Sequence, residues 1–376
     1  MANFTKLSFK KGELNQKLAD LFKGMMEKGV VDALLAPMIQ PKRGVMLTLV
    51  TDPSHLGALD PFAPVVPVNG ARIASSITAK PSGRKTAMVL RSCEIRALVE
   101  LCKLKQANLD DVLLIGMDCL GRYENLDFVK LRAEGQSSEA FLEKALAGNT
   151  ESGGCDVSGA CNICEFPVPD NVDLRLCAIG TGAEAVYLES LTPKGDKALE
   201  AAGLNAGETP AGREAAVQQL VKKRKEACDA ALAQYRESTP SIDALEDRVA
   251  NCINCYNCRV ACPVCYCKEC VFVTDTFRHN GDQYMGWADT FGTLKMPTDT
   301  IFYHLTRMSH MSLFCVGCGQ CTSACPNSID LMPMFRAAAQ KTQGRFDYQA
   351  GRSHDEKQPL TVFENDELVE VTGQVK

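Results

Sequence analysis

Aromatic residues are scarce in this chain. They make up 6% of its 376 residues, and tryptophan occurs once. Long apolar runs are missing as well. A stretch such as residues 112–117 (VLLIGM) falls far short of the roughly 20 apolar residues that span a bilayer. The first residues show no apolar segment of signal-peptide length, so a cytoplasmic protein is expected, reaching a membrane only through partners. There is no excess of positive charge. Lys and Arg number 41 against 46 Asp and Glu, for a net charge of −5. That removes the electrostatic basis for general binding to nucleic acid or anionic lipid. No Walker-type glycine loop is present. With 45% hydrophobic and 23% charged residues, the chain is neither disordered nor fibrous. Its length suggests two or three domains.

What the chain has in abundance is cysteine, 19 in all. Disulfides persist mostly in oxidising compartments, where small secreted domains use them densely. In a reducing cytosol, clustered cysteines read as metal or cluster ligands. Cys93, Cys102, Cys119, Cys155, Cys161, Cys164, Cys177 and Cys228 are scattered. The other eleven fall between Cys252 and Cys325.

The front of the chain reads as α/β. Leu14, Leu18, Leu21, Phe22 and Met25 follow helical spacing up to Gly29. Residues 30–37, 44–50, 86–90 and 112–117 read as short apolar strands, with a helix over 93–104. Such alternation predicts a mostly parallel sheet covered on both faces. Residues 172–179 suggest one more strand. Residues 191–245, rich in Ala, Glu, Lys and Gln, read as a helical connector with a long solvated helix over 213–236. The expected organisation is an α/β domain over 1–190, a connector over 191–247, a cysteine-rich domain over 248–340 and an extended polar tail over 341–376.

Cys252, Cys255, Cys258 and Cys262-Pro263 follow the spacing C-x2-C-x2-C-x3-C-P, and Cys315, Cys318, Cys321 and Cys325-Pro326 repeat it. A tight loop with a cysteine at every third position wraps three thiolates onto one [4Fe-4S] cube. The fourth, before proline, reaches the neighbouring cube. The expected ligand sets are therefore Cys252, Cys255, Cys258 and Cys325 for one cluster, and Cys315, Cys318, Cys321 and Cys262 for the other. Zinc sites use paired C-x2-4-C knuckles, which this spacing fits poorly.

Other constellations are less specific. Cys265, Cys267 and Cys270 follow the first motif without an evident fourth partner; they read equally as ligands or as buried thiols shielding a cluster. Cys161 and Cys164 form a C-x2-C pair in a glycine-rich loop. With Cys155, and with Cys119 just past a predicted strand, they make a candidate third site, since cofactors gather at the carboxyl ends of strands. Residues 180–185 satisfy G-x-G-x-x-A, which reads either as a dinucleotide loop or as a simple strand-to-helix turn. His279, His304 and His310 lie in the insert between the motifs, as does Trp287. Lys42-Arg43 and the run Lys222–Lys225 read as solvated faces.

Residues 86–98 (TAMVLRSCEIRAL), 114–121 (LIGMDCLG), 161–180 and the paired ferredoxin motifs together resemble the beta subunits of deazaflavin-reducing hydrogenases and formate dehydrogenases, the formate dehydrogenase branch in particular. Here Cys93 follows Ser92, where that family has proline. The resemblance implies a [4Fe-4S] cluster in the α/β domain, which assigns Cys119, Cys155, Cys161 and Cys164 to it. It also implies FAD, and hydride transfer to the deazaflavin coenzyme F-420. The implied partners are a catalytic dehydrogenase or hydrogenase, or a heterodisulfide-reductase-like flavoprotein. The expected function is thus an iron–sulfur electron-transfer subunit of an oxidoreductase complex, not a stand-alone enzyme, with the cofactors carrying the chemistry. Its rivals are an FAD-dependent subunit exchanging hydride with a deazaflavin or nicotinamide, and a zinc-stapled interaction scaffold.

Overall fold

A computed structural model describes residues 3–41, 44–182 and 184–361. The basic pair Lys42-Arg43 and the end of the tail, 362–376, lie outside the described residues. Among the described residues no helix is long and apolar enough to cross a membrane.

The described residues form a seven-stranded sheet from β1 (Asn3–Ser8), β2 (Ala33–Gln40), β3 (Gly44–Val50), β4 (Thr86–Arg91), β5 (Val112–Met117), β6 (Leu174–Cys177) and β7 (Ala185–Ser190). Their order is β1-β7-β6-β5-β4-β2-β3. The middle strands β2, β4, β5 and β6 are parallel to one another. Antiparallel partners extend the sheet at both edges: β3 on β2, β7 on β6, and β1 on β7. Every residue of β4 and β5 is buried, which is why both read as unbroken apolar runs.

Successive residues of β4 feed two different cores. Ala87 and Val89 join Leu18, Phe22 and Leu174 on one face. Met88 and Leu90 join Ile95 and Leu98 on the other, as the two-residue period of a strand requires. The first face is closed by the helix Leu14–Glu27, whose Leu14, Leu18, Phe22 and Met25 form its buried stripe. The second is closed by the helix Ser92–Lys103. That second core runs on without a break into the cysteine-rich segment, through Val264, Tyr303, Met311, Phe314 and Phe335. The two regions of the chain share apolar packing.

Three expectations are corrected. Residues 180–185 are not a dinucleotide loop. They join β6 to the antiparallel β7, so no helix N-terminus follows to receive a phosphate. Gly180 serves close packing instead: its φ is +72°, and a Cβ there would stand 2.5 Å from the Arg213 Cα. The helix Arg213–Glu237 is not solvated all round, because Arg213, Arg224, Cys228 and Leu232 are buried, the last two packing with Ala337. The polar tail does not start at 341. The helix Met332–Arg345 runs through that point, and the chain beyond it straps across the helix Ser92–Lys103. There the buried Glu100 accepts hydrogen bonds from the Tyr348 hydroxyl, the Gly351 backbone N–H and Gln358 Nε2, and pairs with Lys103. Four donors satisfy a carboxylate whose burial would otherwise be costly.

Candidate metal centres

The two C-x2-C-x2-C loops adopt one backbone course. In the first, Asn254 and Tyr256 have φ of 49° and 59°. At the matching positions of the second, Gly317 and Gly319 have φ of 71° and 74°. Two left-handed residues per loop coil the chain tightly, and each loop enters a short helix, Asn257–Ala261 or Gln320–Ser323. Tyr256 tolerates this conformation poorly as a bulky residue. It is held by edge contact with Tyr303, 4.9 Å between ring centroids, and by its hydroxyl on Asp299.

Each loop bounds a small cavity. One is lined by Cys252, Cys255, Cys258 and Cys325, beside Tyr303 and His304. The other is lined by Cys262, Cys315, Cys318 and Cys321, beside Arg307 and Met311. The cysteine before each proline thus faces the opposite loop's cavity. Burial pushes the Cys262 thiol up to about 11 and the Cys318 thiol up to about 12. Ligation therefore displaces protons from these thiols.

The donor sets fit a cube better than an ion. Sulfurs around one zinc stand roughly 3.8 Å apart, from a Zn–S distance of about 2.3 Å. Among the described residues no three His, Cys, Asp or Glu side chains are close enough to share one metal ion. Four thiols instead surround a cavity. The polar atoms nearby also suit an anionic occupant. Arg307 is 5% exposed, and its Nε and Nη1 are buried without a hydrogen-bond partner. His304 Nε2 lies 3.4 Å from Cys252 Sγ, and burial lowers its pKa to about 4, so it is neutral there.

A third group of thiols lies against the sheet. Cys119 follows β5, and its N–H donates to Pro167 O at 2.8 Å. Cys161 and Cys164 belong to the short helix Gly159–Asn162 and the turn after it. Cys161 interacts electrostatically with Cys119 and Cys164. Cys155 is placed differently. That residue sits in a tight turn paired with Ser152, where burial and then Asp127, Lys130 and Glu134 act on its thiol. Cys93 lies closer to this group. It stands in the first turn after β4 and is partly buried, with Cys318, Cys119 and Cys164 acting on it. The available signal was the strand-then-cysteine segment at 86–98.

This third group adjoins the second cavity. Arg96 donates to Val316 O at 3.1 Å and to Ala350 O at 3.0 Å, and its guanidinium covers the Phe166 ring at 3.6 Å. Arg122 donates to Ser323 Oγ at 2.6 Å. The closest approach is at Gly319, where a Cβ would stand 2.5 Å from the Ala160 Cβ. Gly319→Ala is expected to combine that overlap with a left-handed strain and to cost about 1–3 kcal/mol. Gly317→Ala meets only the flexible Arg336 side chain, at 3.2 Å, and is the milder control. Denaturant unfolding of the two variants measures the difference.

Leu120, directly after Cys119, lines a cleft of about 700 Å³. Leu120, Ile179, Gly180, Gly182 and Lys223 are among its walls. Arg224, read from sequence as part of a solvated run, is buried and donates to Cys119 O at 3.2 Å and Leu120 O at 2.7 Å. Asp118 holds Ala178 and Ile179 of that wall in place. It accepts from the Ala178 and Ile179 N–H groups, both at 2.9 Å, and from both terminal nitrogens of Arg213.

No family model matches the sequence. Curated proteins do, two of them along almost the whole chain. The F420-dependent formate dehydrogenase subunit beta of Methanocaldococcus jannaschii is 27% identical, over 91% of this chain and 93% of that protein. The F420-dependent formate dehydrogenase 1 subunit beta of Methanococcus maripaludis is 28% identical, over 91% and 92%. The chain is a homologue of formate dehydrogenase beta subunits. Among solved structures, a chain from the F420-reducing [NiFe] hydrogenase complex of Methanosarcina barkeri aligns at 14% identity with a TM-score of 0.44, covering 64% of this chain and 94% of that one.

Of the remaining cysteines, Cys265 adjoins the second site, its N–H donating to Cys262 O at 3.4 Å. Cys265 is acted on by Cys267 and Cys270, and by Arg307 and Arg259. Cys177 is buried within β6, Cys228 contacts Glu165, and burial raises Cys102 to about 11. Of the histidines in the insert, His304 alone is buried. His279 and Trp287 form an edge contact beside the helix Gly281–Phe291, which buries none of its residues.

Proposed function

We propose that this chain is the electron-transferring beta subunit of an oxidoreductase complex of the formate dehydrogenase or hydrogenase type. The observation that carries the reading is the succession of three cysteine groups ending at a cleft. Cys252, Cys255, Cys258 and Cys325 hold the outermost cluster. Cys262, Cys315, Cys318 and Cys321 hold the middle one, and Cys93, Cys119, Cys161 and Cys164 the innermost. Bound there, [4Fe-4S] clusters supply one-electron transfer. The chain's own residues set their spacing, exclude water and supply the surrounding charge. Supporting this reading, the crossed Cys262 and Cys325 tie the first two sites together, and Gly319 permits the tight approach of the third. Cys255 and its neighbour Ile253 are exposed. Met285 and Phe291 of the insert are exposed as well, and these apolar side chains are offered to a partner oxidoreductase subunit.

A second reading is favoured by the cleft itself. Its size suits a flavin, and Leu120 in its wall directly follows Cys119. A flavin would supply exchange between single electrons and hydride, with a deazaflavin or nicotinamide as the hydride partner. In that case the Gly180 turn, Lys223 and the apolar wall seat the ring system and phosphates.

Metal and flavin analysis of anaerobically purified protein tests both readings. About twelve iron atoms per chain are expected for three cubes. Cys93→Ser is expected to remove about four of them and Cys155→Ser none. Zinc in place of iron overturns the electron-transfer reading, and absence of flavin after reconstitution overturns the second.

A further inference from the structure

Among the described residues, the buried arginine of the cysteine-rich segment has no carboxylate to pair with. Arg307 lies on the helix Thr300–Phe314, where Tyr303, Arg307 and Met311 recur every fourth residue along the buried stripe. One N–H donates to Cys258 O at 3.2 Å. The guanidinium packs over Phe335 at 4.4 Å and Tyr303 at 5.8 Å. Its Nε and Nη1 are buried without a partner. Thiols of both sites act on it, Cys258 of the first and Cys262 and Cys321 of the second, as do the Tyr303 hydroxyl and the nearby Cys265. A guanidinium desolvated without a counter-ion is destabilising, so a nearby anion is the natural complement.

We infer that Arg307 is the shared counter-charge of the two ferredoxin-type sites and sets the reduction potentials of both. The inference rests on the cluster reading above and goes beyond it by assigning a tuning residue. Reduction of a [4Fe-4S] site by one electron adds one negative charge. A fixed cation between the sites, shielded from water, favours that added charge at either one. Arg307 therefore makes both sites easier to reduce. Because the charge is permanent, the effect is independent of pH across the range in which the protein is stable.

The test is a mediated redox titration of the full chain, followed by electron paramagnetic resonance, for wild type, Arg307→Met, Arg307→Gln and Arg307→Lys. The neutral variants are expected to shift the reduction equilibrium of both clusters at least tenfold toward the oxidised form, about 59 mV for a one-electron couple. Arg307→Lys keeps the charge and is expected to stay near wild type. Loss of iron in both neutral variants, with iron and potentials retained in Arg307→Lys, carries the same conclusion. Unchanged potentials in the neutral variants overturn it, as does a shift of one cluster alone. So does a Lys variant that loses iron along with the others, which would mark a purely structural role. Wild-type protein without iron would instead bring down the cluster reading itself.

Discussion

Cys325→Ser is expected to produce the same spectroscopic loss as Cys255→Ser, and Cys262→Ser the same loss as Cys318→Ser. Each pair joins cysteines of different loops, far apart in sequence, so a chain that used its loops separately would pair them differently. The reason is the crossing: Cys325 lines the cavity of the first loop and Cys262 that of the second. Up to about four irons should be lost in each variant, from one cluster only. Iron analysis combined with electron paramagnetic resonance of the reduced protein separates the outcomes. A Cys325→Ser spectrum matching Cys318→Ser would show each loop keeping its own fourth ligand.

Asp118→Ala is expected to cost about 3–5 kcal/mol of stability, because it leaves the buried Arg213 cation unpaired. The Asp118 side chain is fully buried and that of Arg213 is 8% exposed. The carboxylate also satisfies the N–H groups of Ala178 and Ile179, where the chain leaves β6. Its removal therefore loosens the Ala178–Ile179 wall of the cleft and the entry of the helix Arg213–Glu237 together. Arg213→Ala should cost a similar amount, and the double variant less than the sum of the two, as members of one network do. Chemical denaturation of the three variants checks the pattern.

Much of the candidate site was legible because cluster-binding loops are local. Three cysteines within seven residues, and a fourth before proline, state the chemistry without reference to the rest of the chain. The strands β4 and β5 were legible for a similar reason, since burial on both faces leaves an unbroken apolar run. The strands β1 and β7 were not. They pair with each other between residues 3–8 and 185–190, and neither carries a pattern that announces so distant a partner. The third group failed in part for the same reason. Cys155 and Cys161 are six apart, but a tight turn directs Cys155 toward the helix Asn125–Ala133, while Cys93 arrives from another strand.

The arginines mark the limit most clearly. Arg96, Arg224 and Arg307 carry no local signal of burial, and a charged residue read alone belongs on the surface. Each is buried because packing brings carbonyl oxygens, aromatic faces or thiols to it from elsewhere. Sequence alone determined the cysteine spacing of the two loops, because spacing is a property of a few adjacent residues. The tertiary structure alone decided which side chains surround those loops, which cysteine completes the third group, and where the cleft lies, because each depends on segments joined only by the shared core.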